Sequence, residues 1–174
     1  MIALIMAGGR GSRLGGVCKP MVRVCGVPMI LRVLAAIRGL VSAVVIALSH
    51  WTRECLKDLC LDPIIDCVET SGADYVEDLK LVVSSLRKPV LVLPADLPHL
   101  GRDHVDLLLS EAQRRDGVCV LTLEGPRGPV GASLFQCEGG SWVSLRIDDP
   151  RLVSVNTVKD LELAEALCRE GSWR

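Results

Sequence analysis

The fold is decided by residues 2–20, which read Ile-Ala-Leu-Ile-Met-Ala-Gly-Gly-Arg-Gly-Ser-Arg-Leu-Gly-Gly-Val-Cys-Lys-Pro. The apolar run Ile2–Met6 is too short for a helix and predicts a strand that is buried on both faces. Five glycines follow within nine residues, and they permit positive φ angles and a close approach of backbone N–H groups to a ligand. Because Arg10, Arg13 and Lys19 add positive charge, the stretch predicts a loop that binds a triphosphate.

Two well-known phosphate loops do not match this stretch. A Walker loop requires Lys-Ser/Thr directly after its last glycine, but Gly16 is followed by Val17 and Cys18. The dinucleotide-binding pattern requires a third glycine where Leu14 stands. A glycine-rich turn with surface arginines is the simpler alternative. The buried strand before the loop and the Lys-Pro pair after it favour a nucleotide site.

Residues 8–20 resemble the nucleotidyltransferase signature Gly-Gly-x-Gly-x-Arg-Met/Leu with a downstream Lys-Pro, and every signature position is filled. Within this MobA-like superfamily, the chain is similar to the archaeal-type adenosylcobinamide-phosphate guanylyltransferase family. Three stretches carry the closer resemblance and extend over nearly the whole chain: residues 3–9, Thr70-Ser71-Gly72 with residues 75–79, and Asn156-Thr157 with residues 159–161.

Composition limits the classes of protein that the chain can represent. Its 174 residues suit a single domain (residues 1–174), and 49% hydrophobic residues with a net charge of −1 argue against a disordered chain or a nucleic-acid binder. The apolar runs are broken well short of 18 residues, so we expect no membrane span. We find no basic leader at the N-terminus and therefore expect a cytoplasmic protein.

The eight cysteines form no Cys-x-x-Cys pair, and most lie within apolar runs. A free cysteine packs there as a small hydrophobe, so the sequence favours free thiols over a zinc site or a redox pair. A hyperthermophilic source would leave an internal disulfide open as an alternative. The positions are 18, 25, 55, 60, 67, 119, 137 and 168.

Buried strands alternate with amphipathic helices along the rest of the chain, which predicts an α/β fold with a largely parallel sheet. The resemblance implies a Rossmann-like three-layer sandwich of the nucleotide-diphospho-sugar transferase type, with a mixed seven-stranded sheet. Residues 124–131 contain three glycines and two prolines and predict a mobile loop over the acceptor. The further strands are predicted at 43–48, 64–68, 90–93, 118–123, 132–137 and, more weakly, at 142–147 and 152–155. Helices are predicted to begin at Pro28, Thr52, Ser71, Asp103 and Thr157.

Polar residues follow several of these strands, at the edge of the sheet where α/β proteins bind ligands. Asp96 stands between two prolines and is well placed to bind Mg²⁺, although a turn-forming aspartate is the alternative. Asn156 directly precedes the last helix and is expected to face the same crevice. Two polar strand ends are candidates for reading the nucleobase, while Ser71 also suits a helix cap with Asp74. These strand ends are Ser49-His50 and Thr70-Ser71-Gly72.

The resemblance implies that GMP is transferred from GTP to adenosylcobinamide phosphate in cobalamin biosynthesis, giving adenosylcobinamide-GDP and pyrophosphate. It implies that Arg13 and the glycine-rich loop hold the β- and γ-phosphates, while Lys19 holds the α-phosphate or the incoming phosphate. Asp96 binds Mg²⁺, and Asn156 lies where many relatives place a second metal ligand. The expected nucleotide-binding residues of the loop are Ala7, Gly8, Gly9, Arg10 and Gly11.

Other functions stay open at this stage. A molybdenum-cofactor guanylyltransferase would share the loop and Asp96, whereas a sugar-1-phosphate nucleotidyltransferase would need insertions for which the chain is short. A non-catalytic nucleotide-binding module is the alternative from another class, and the presence of Arg13, Lys19 and Asp96 argues against it. The expected partners are GTP and a phosphorylated corrinoid, without nucleic acid, and a homodimer remains open.

Overall fold

A computed structural model describes residues 1–169. Alternating strands and helices form one main sheet with helices on both faces, together with a two-stranded ribbon that follows the glycine-rich loop. The strands are β1 (Ile2–Met6), β2 (Arg23–Val24), β3 (Val27–Pro28), β4 (Ala43–Leu48), β5 (Ile65–Glu69), β6 (Val90–Pro94), β7 (Val118–Gly125), β8 (Gly128–Phe135) and β9 (Ser141–Arg146). The helices are α1 (Met29–Ala36), α2 (Arg53–Leu56), α3 (Tyr75–Ser85), α4 (Arg102–Arg114) and α5 (Val158–Arg169). Three 3-10 turns lie at Ser12–Leu14, Lys19–Met21 and Leu59–Leu61.

The main sheet has the strand order β5-β4-β1-β6-β8-β7-β9. β1 pairs in parallel with β4 and β6, while β8 runs antiparallel to both of its neighbours. This confirms the predicted mixed, mostly parallel seven-stranded sheet.

The central strands β1, β4 and β6 are apolar along their whole length because helices cover both faces of the sheet there. Alternate residues of β1 point to opposite faces. Ala3 and Ile5 join the core that contains apolar residues of α1 and α4. Leu4 and Met6 pack with Val82 of α3 on the other face. The result is the expected three-layer sandwich.

The register brings the carboxyl ends of three central strands to one edge. Met6 at the end of β1 lies opposite Ala47 in β4 and Pro94 in β6. Val155 donates its N–H to the carbonyl of Asp96 at 2.9 Å, which brings the segment before α5 to the same edge. The glycine-rich loop, the β4–α2 connection and Asp96 therefore meet there.

Several local predictions are wrong. The loop predicted over residues 124–131 is a hairpin, because β7 and β8 extend into it and leave only Pro126 and Arg127 between them. Leu152, Val153 and Val155, in the segment predicted as a strand over residues 152–155, are buried, but the segment joins no strand pair. The helix predicted to begin at Thr52, which we expect to run through Leu59, ends at Leu56, and Thr52 makes no capping bond with its side chain.

Two of the other predicted helix starts, Ser71 and Thr157, differ in outcome. Asp74, not Ser71, caps α3, because its carboxylate accepts the N–H groups of Val76 at 2.8 Å and Glu77 at 3.0 Å. The cap predicted at Thr157 is confirmed, since its hydroxyl oxygen accepts the N–H of Asp160 at 3.2 Å and Asp160 accepts in return.

All eight cysteines form disulfides, so the expectation of free thiols is wrong. The paired residues lie between 7 and 143 positions apart in the chain, and that pairing depends on the tertiary fold rather than on local pattern. The disulfides are Cys18–Cys55, Cys25–Cys168, Cys60–Cys67 and Cys119–Cys137. None of the helices formed by residues 1–169 has the length and apolar character required to cross a membrane.

Candidate functional site

A cleft of about 350 Å³ lies at the edge of the sheet where β1 and β6 end. It brings together most of the residues that the sequence predicted as site residues. The predicted site residues in its walls are Ala7, Gly8, Gly9, Arg10, Gly11, Arg13, Lys19, Thr70, Gly72, Asp96 and Asn156. The other residues in its walls are Met6, Ser12, Pro20, Tyr75, Asp78, Pro94 and Ala95.

The glycine-rich loop curls back on itself at Gly11. The carbonyl of Gly11 accepts N–H groups from Leu14 at 2.9 Å and from Gly16 at 3.1 Å. Gly11 has a φ of 66°, and a Cβ at this position would lie 2.4 Å from the carbonyl oxygen of Val17. A side chain therefore cannot fit there. At Gly9, by contrast, a Cβ would meet nothing within 4 Å, so the backbone is open toward the cleft.

Lys19 lies between the loop and the opposite wall of the cleft. Its ammonium group pairs with the carboxylate of Asp96 and donates to the side-chain oxygen of Asn156 at 2.8 Å. These partners stand 77 and 137 residues away in the sequence. Three residues from three distant segments thus converge on one position.

The oxygen atoms around Lys19 fit a divalent cation. A carboxylate and an amide oxygen are hard ligands of the kind that Mg²⁺ takes, and both already converge on one positive charge. Asp160 fixes the backbone at Asn156, whose N–H it accepts at 3.1 Å. Burial opposes ionisation of Asp160, but hydrogen bonds from Thr157 and Asn156 hold its pKa below the ordinary value. Asp96 and Asn156 are therefore the residues suited to hold a metal ion.

Ser49, His50 and Ser71 lie outside the walls of the cleft. The buried hydroxyl of Ser49 donates to the carbonyl of Gly8 at 2.7 Å and so supports the loop from behind. His50 is exposed and packs on Trp51, with 4.1 Å between ring centroids. The Ser71 hydroxyl donates to Asp78 at 2.8 Å.

Asp78 is the main residue that the sequence reasoning missed. It is buried, lines the cleft, and accepts the N–H of Gly72 at 2.8 Å as well as the N–H of Ser71 at 3.1 Å. Acidic residues are common in the first turn of a helix, because they interact favourably with the helix dipole. Asp78 was therefore explained by its helix position alone, and its place in the cleft was not predicted. The available signal was the resemblance of residues 75–79, which include Asp78.

Tyr75 also lines the cleft and was not predicted as a site residue. Burial raises the pKa of Tyr75 to about 12, with a smaller contribution from the negative charge of Asp96. The phenol is therefore neutral near pH 7 and can donate a hydrogen bond into the cleft.

A second cluster of ionisable groups, formed by Asp103, His104 and Asp149, is a structural network. His104 accepts the N–H of Gly101 at 3.0 Å through Nδ1 and bonds Asp149 at 3.1 Å through Nε2, so both ring nitrogens are used. Burial opposes ionisation of Asp149, but hydrogen bonds from Arg151 and His104 lower its pKa to about 2. This network ties the start of α4 to the segment after β9.

Comparison with known proteins gives consistent matches. Residues 3–148 match the model of the MobA-like NTP transferase domain. The chain is 30% identical over 193 aligned positions to adenosylcobinamide-phosphate guanylyltransferase of Methanocaldococcus jannaschii, covering 98% of both proteins. It is 34% identical over 113 positions to molybdenum cofactor guanylyltransferase of Pseudomonas putida, covering 63% of this chain and 56% of that protein.

Solved structures with low sequence identity share the fold. A nucleotidyl transferase from Methanothermobacter has a TM-score of 0.72 at 18% identity, with 97% of both chains covered. A Mycobacterium tuberculosis protein crystallised in complex with manganese has a TM-score of 0.73 at 10% identity, with 95% of this chain and 97% of that chain covered.

Proposed function

The chain belongs to the family of MobA-like NTP transferases, and on this premise we propose that it transfers GMP from GTP to adenosylcobinamide phosphate. The observation that carries the proposal is the convergence of Lys19, Asp96 and Asn156 beside a glycine-rich loop. The full-length similarity to a curated adenosylcobinamide-phosphate guanylyltransferase supports the choice of acceptor.

The reaction requires positioning and charge neutralisation more than proton transfer. An oxygen of the acceptor phosphate attacks the α-phosphorus of GTP in line. The bond between the α-phosphorus and the oxygen that bridges it to the β-phosphate breaks, and pyrophosphate leaves with that oxygen. Because a phosphate monoester is ionised near neutral pH, this attack needs no general base. The site must therefore hold two anions together and stabilise the charge that develops between them.

We assign the phosphates of GTP to the glycine-rich loop. The backbone N–H groups of Gly8 to Gly11, with Arg10 and Arg13, would bind the β- and γ-phosphates. Lys19 would neutralise charge at the α-phosphate, since its ammonium lies between the loop and the opposite wall. Mg²⁺ held by Asp96 and Asn156 would supply a Lewis acid for the phosphate oxygens.

We assign the guanine base to the region of Thr70, Gly72 and Asp78. Guanine presents N1–H and N2–H donors side by side, and a carboxylate can accept from both. Asp78 already holds the backbone of Ser71 and Gly72, so its orientation is fixed before a base arrives. Adenine offers no such pair of donors on this edge.

The other candidate is a molybdenum-cofactor guanylyltransferase, favoured by 34% identity to the Pseudomonas putida enzyme. That similarity covers 63% of this chain, compared with 98% for the archaeal relative. The reaction chemistry would be the same, because both acceptors carry a phosphate.

We further propose a cytoplasmic location, because the reaction consumes GTP. Stable disulfides are unusual in the cytoplasm of organisms other than hyperthermophiles.

The decisive experiment incubates the protein with GTP, Mg²⁺ and each acceptor, followed by mass analysis of the product and measurement of pyrophosphate. We expect adenosylcobinamide-GDP from adenosylcobinamide phosphate, and no product from adenosylcobinamide without the phosphate. ATP, CTP and UTP serve as matched controls for the base. At a GTP concentration about 100 times its dissociation constant, the free energy of unfolding should rise by roughly 2.7 kcal/mol.

Product from molybdopterin alone would transfer the assignment to the second candidate. Equal stabilisation by all four nucleotides would contradict the assignment of guanine. Stabilisation by GTP without product from either acceptor would favour a nucleotide-binding module.

A further inference from the structure

Three contacts tie the glycine-rich loop to the segment Ser49–Cys55, which contains the β4–α2 connection and the start of α2. At the beginning of the loop, the Ser49 hydroxyl donates to the Gly8 carbonyl at 2.7 Å. In the middle, the guanidinium of Arg10 lies 4.5 Å from the ring centroid of Trp51. At the end, Cys18 forms a disulfide with Cys55. The last contact is covalent, and it lies next to Lys19 in the sequence.

Cys18 lies between a glycine-containing segment and a 3-10 turn. Gly15 and Gly16 have φ angles of 81° and 72°. Each donates one backbone hydrogen bond, Gly15 to the carbonyl of Ser12 at 3.3 Å and Gly16 to that of Gly11 at 3.1 Å. A Cβ on either glycine would meet nothing within 4 Å, so side-chain packing adds no restraint to these two bonds. After Cys18 the chain enters the 3-10 turn Lys19–Met21, which a hydrogen bond from the Met21 N–H to the Cys18 carbonyl closes at 2.9 Å. The position of Cys18 therefore determines where this turn begins.

We propose that the Cys18–Cys55 disulfide positions Lys19 for the reaction, and that its reduction lowers turnover. The inference rests on the proposed nucleotidyl transfer and on the role of Lys19 in it. Without the disulfide, the two glycines before Cys18 gain conformational freedom, and the ammonium group must be ordered again in each cycle. A misplacement of about 1 Å in a positioned group can cost up to about 10²-fold in rate.

The chemistry of reduction is accessible at this disulfide, because Cys18 and Cys55 are both partly exposed. A small dithiol supplies two electrons and two protons, the S–S bond breaks to give two thiols, and the dithiol closes to its own disulfide. The reaction is reversible, so reoxidation should restore the positioned state.

The chain provides internal controls. None of the eight cysteines lines the cleft, and Cys18 alone is the chain neighbour of a residue that does, Lys19. Cys119–Cys137 joins β7 to the segment after β8, at the far side of the sheet from the loop, and closes a separation of 18 residues against 37 for Cys18–Cys55. Its loss should affect stability without affecting Lys19.

The test compares the double variant Cys18→Ser/Cys55→Ser with Cys119→Ser/Cys137→Ser. Mass analysis first establishes that the remaining disulfides are intact. We expect kcat to fall about tenfold in the first variant with less than about a threefold change in the KM for GTP, because Lys19 acts mainly on the transition state. The control should keep kcat within about twofold. In the wild type, dithiol treatment should lower kcat in proportion to cleavage of Cys18–Cys55, and the first variant should not respond.

A second measurement does not depend on catalysis. An amine-acylating reagent modifies lysines, and peptide mass analysis gives the rate at Lys19, whose ammonium is held by Asp96 and Asn156. Loss of the disulfide should raise this rate at least fivefold in the first variant and leave it unchanged in the control.

The outcomes separate the two proposals. If the wild type transfers GMP but both double variants have the same kcat and the same acylation rate at Lys19, the positioning role is overturned and the proposed function stands. If the wild type transfers GMP to no acceptor, the proposed function fails. The acylation rates then decide whether the disulfide positions Lys19.

Discussion

The two walls of the cleft hold their charges in different ways. On the wall that we propose for the phosphates, called the phosphate wall (residues 8–13), the loop presents open backbone at Gly9, and Arg13 is exposed. On the wall that we propose for Mg²⁺, called the metal wall (Asp96 and Asn156), the charges are already paired, because Lys19 contacts both residues. The first wall is ready to receive an anion, whereas the second is neutralised by a residue of the chain itself.

From this difference we infer that the ammonium group of Lys19 occupies the position proposed for the metal ion. A metal ion at Asp96 and Asn156 would compete with the ammonium group for the same oxygen atoms. A nucleotide would meet no such competitor at the loop. The proposed site therefore couples the two walls through Lys19, and substitutions at the junction should affect them in opposite directions.

The largest effect is expected for Lys19→Ala. The rate should fall by ~10²–10³, because one preorganised charge is lost from the transition state. Mg²⁺ should bind more tightly than in the wild type, since Asp96 and Asn156 lose their competing cation. Steady-state kinetics with a Mg²⁺ titration measures both.

The matched control for this variant is Lys57→Ala. Lys57 directly follows α2 and pairs with Glu54 at 2.5 Å in an exposed position outside the cleft, so its loss should leave both quantities unchanged. Turnover above about a third of the wild-type value in Lys19→Ala would show that the assigned role is wrong.

A smaller effect is expected for Asp96→Asn. The Mg²⁺ concentration for half-maximal rate should rise at least about 10- to 100-fold, because the metal loses a charged ligand, and losing even a group that only orients a ligand has an effect of this size. The fold should persist, since Asp96 lies past the end of β6. Asp148→Asn is the control, because Asp148 is exposed and lies outside the cleft. An unchanged titration in Asp96→Asn, with a shifted one in Asp148→Asn, would move the metal site.

The sequence placed the residues of the glycine-rich loop together correctly because their features are local. The strand Ile2–Met6, the glycines and the arginines lie within one short stretch, and their order along the chain is their order in space. The same holds for Asp96, whose place past a buried strand follows from the apolar run before it. The largely parallel sheet was predictable for the same reason, since apolar strand segments alternate with amphipathic helix segments along the sequence.

The metal wall depends on contacts that no local pattern records. Lys19 meets Asp96 and Asn156 only after the sheet has formed, and Cys18 meets Cys55 in the same way. Local pattern also misassigned residues 124–131, because glycine and proline suit a tight hairpin as well as a loop. The sequence placed Asp96 and Asn156 at strand ends but did not show that Lys19 contacts both of them.

The smallest effect is expected on the selectivity for the guanine base. In Asp78→Asn, an amide replaces the carboxylate that we assign to the N1–H and N2–H groups of guanine, so one acceptor becomes a donor. We expect the preference for GTP over ATP, measured as the ratio of kcat/KM values, to fall about tenfold.

Some of the change in Asp78→Asn comes from the segment before α3, because Asp78 also accepts the backbone N–H groups of Ser71 and Gly72. Asp74→Ala separates this contribution, since it removes the cap of α3 and should cost about 1 kcal/mol of stability without touching the base. If the two variants lose stability to a similar extent but only Asp78→Asn loses selectivity, the carboxylate reads guanine. If both keep the full preference for GTP, the carboxylate of Asp78 does not read the base, and the selectivity must come from other groups at Thr70 and Gly72.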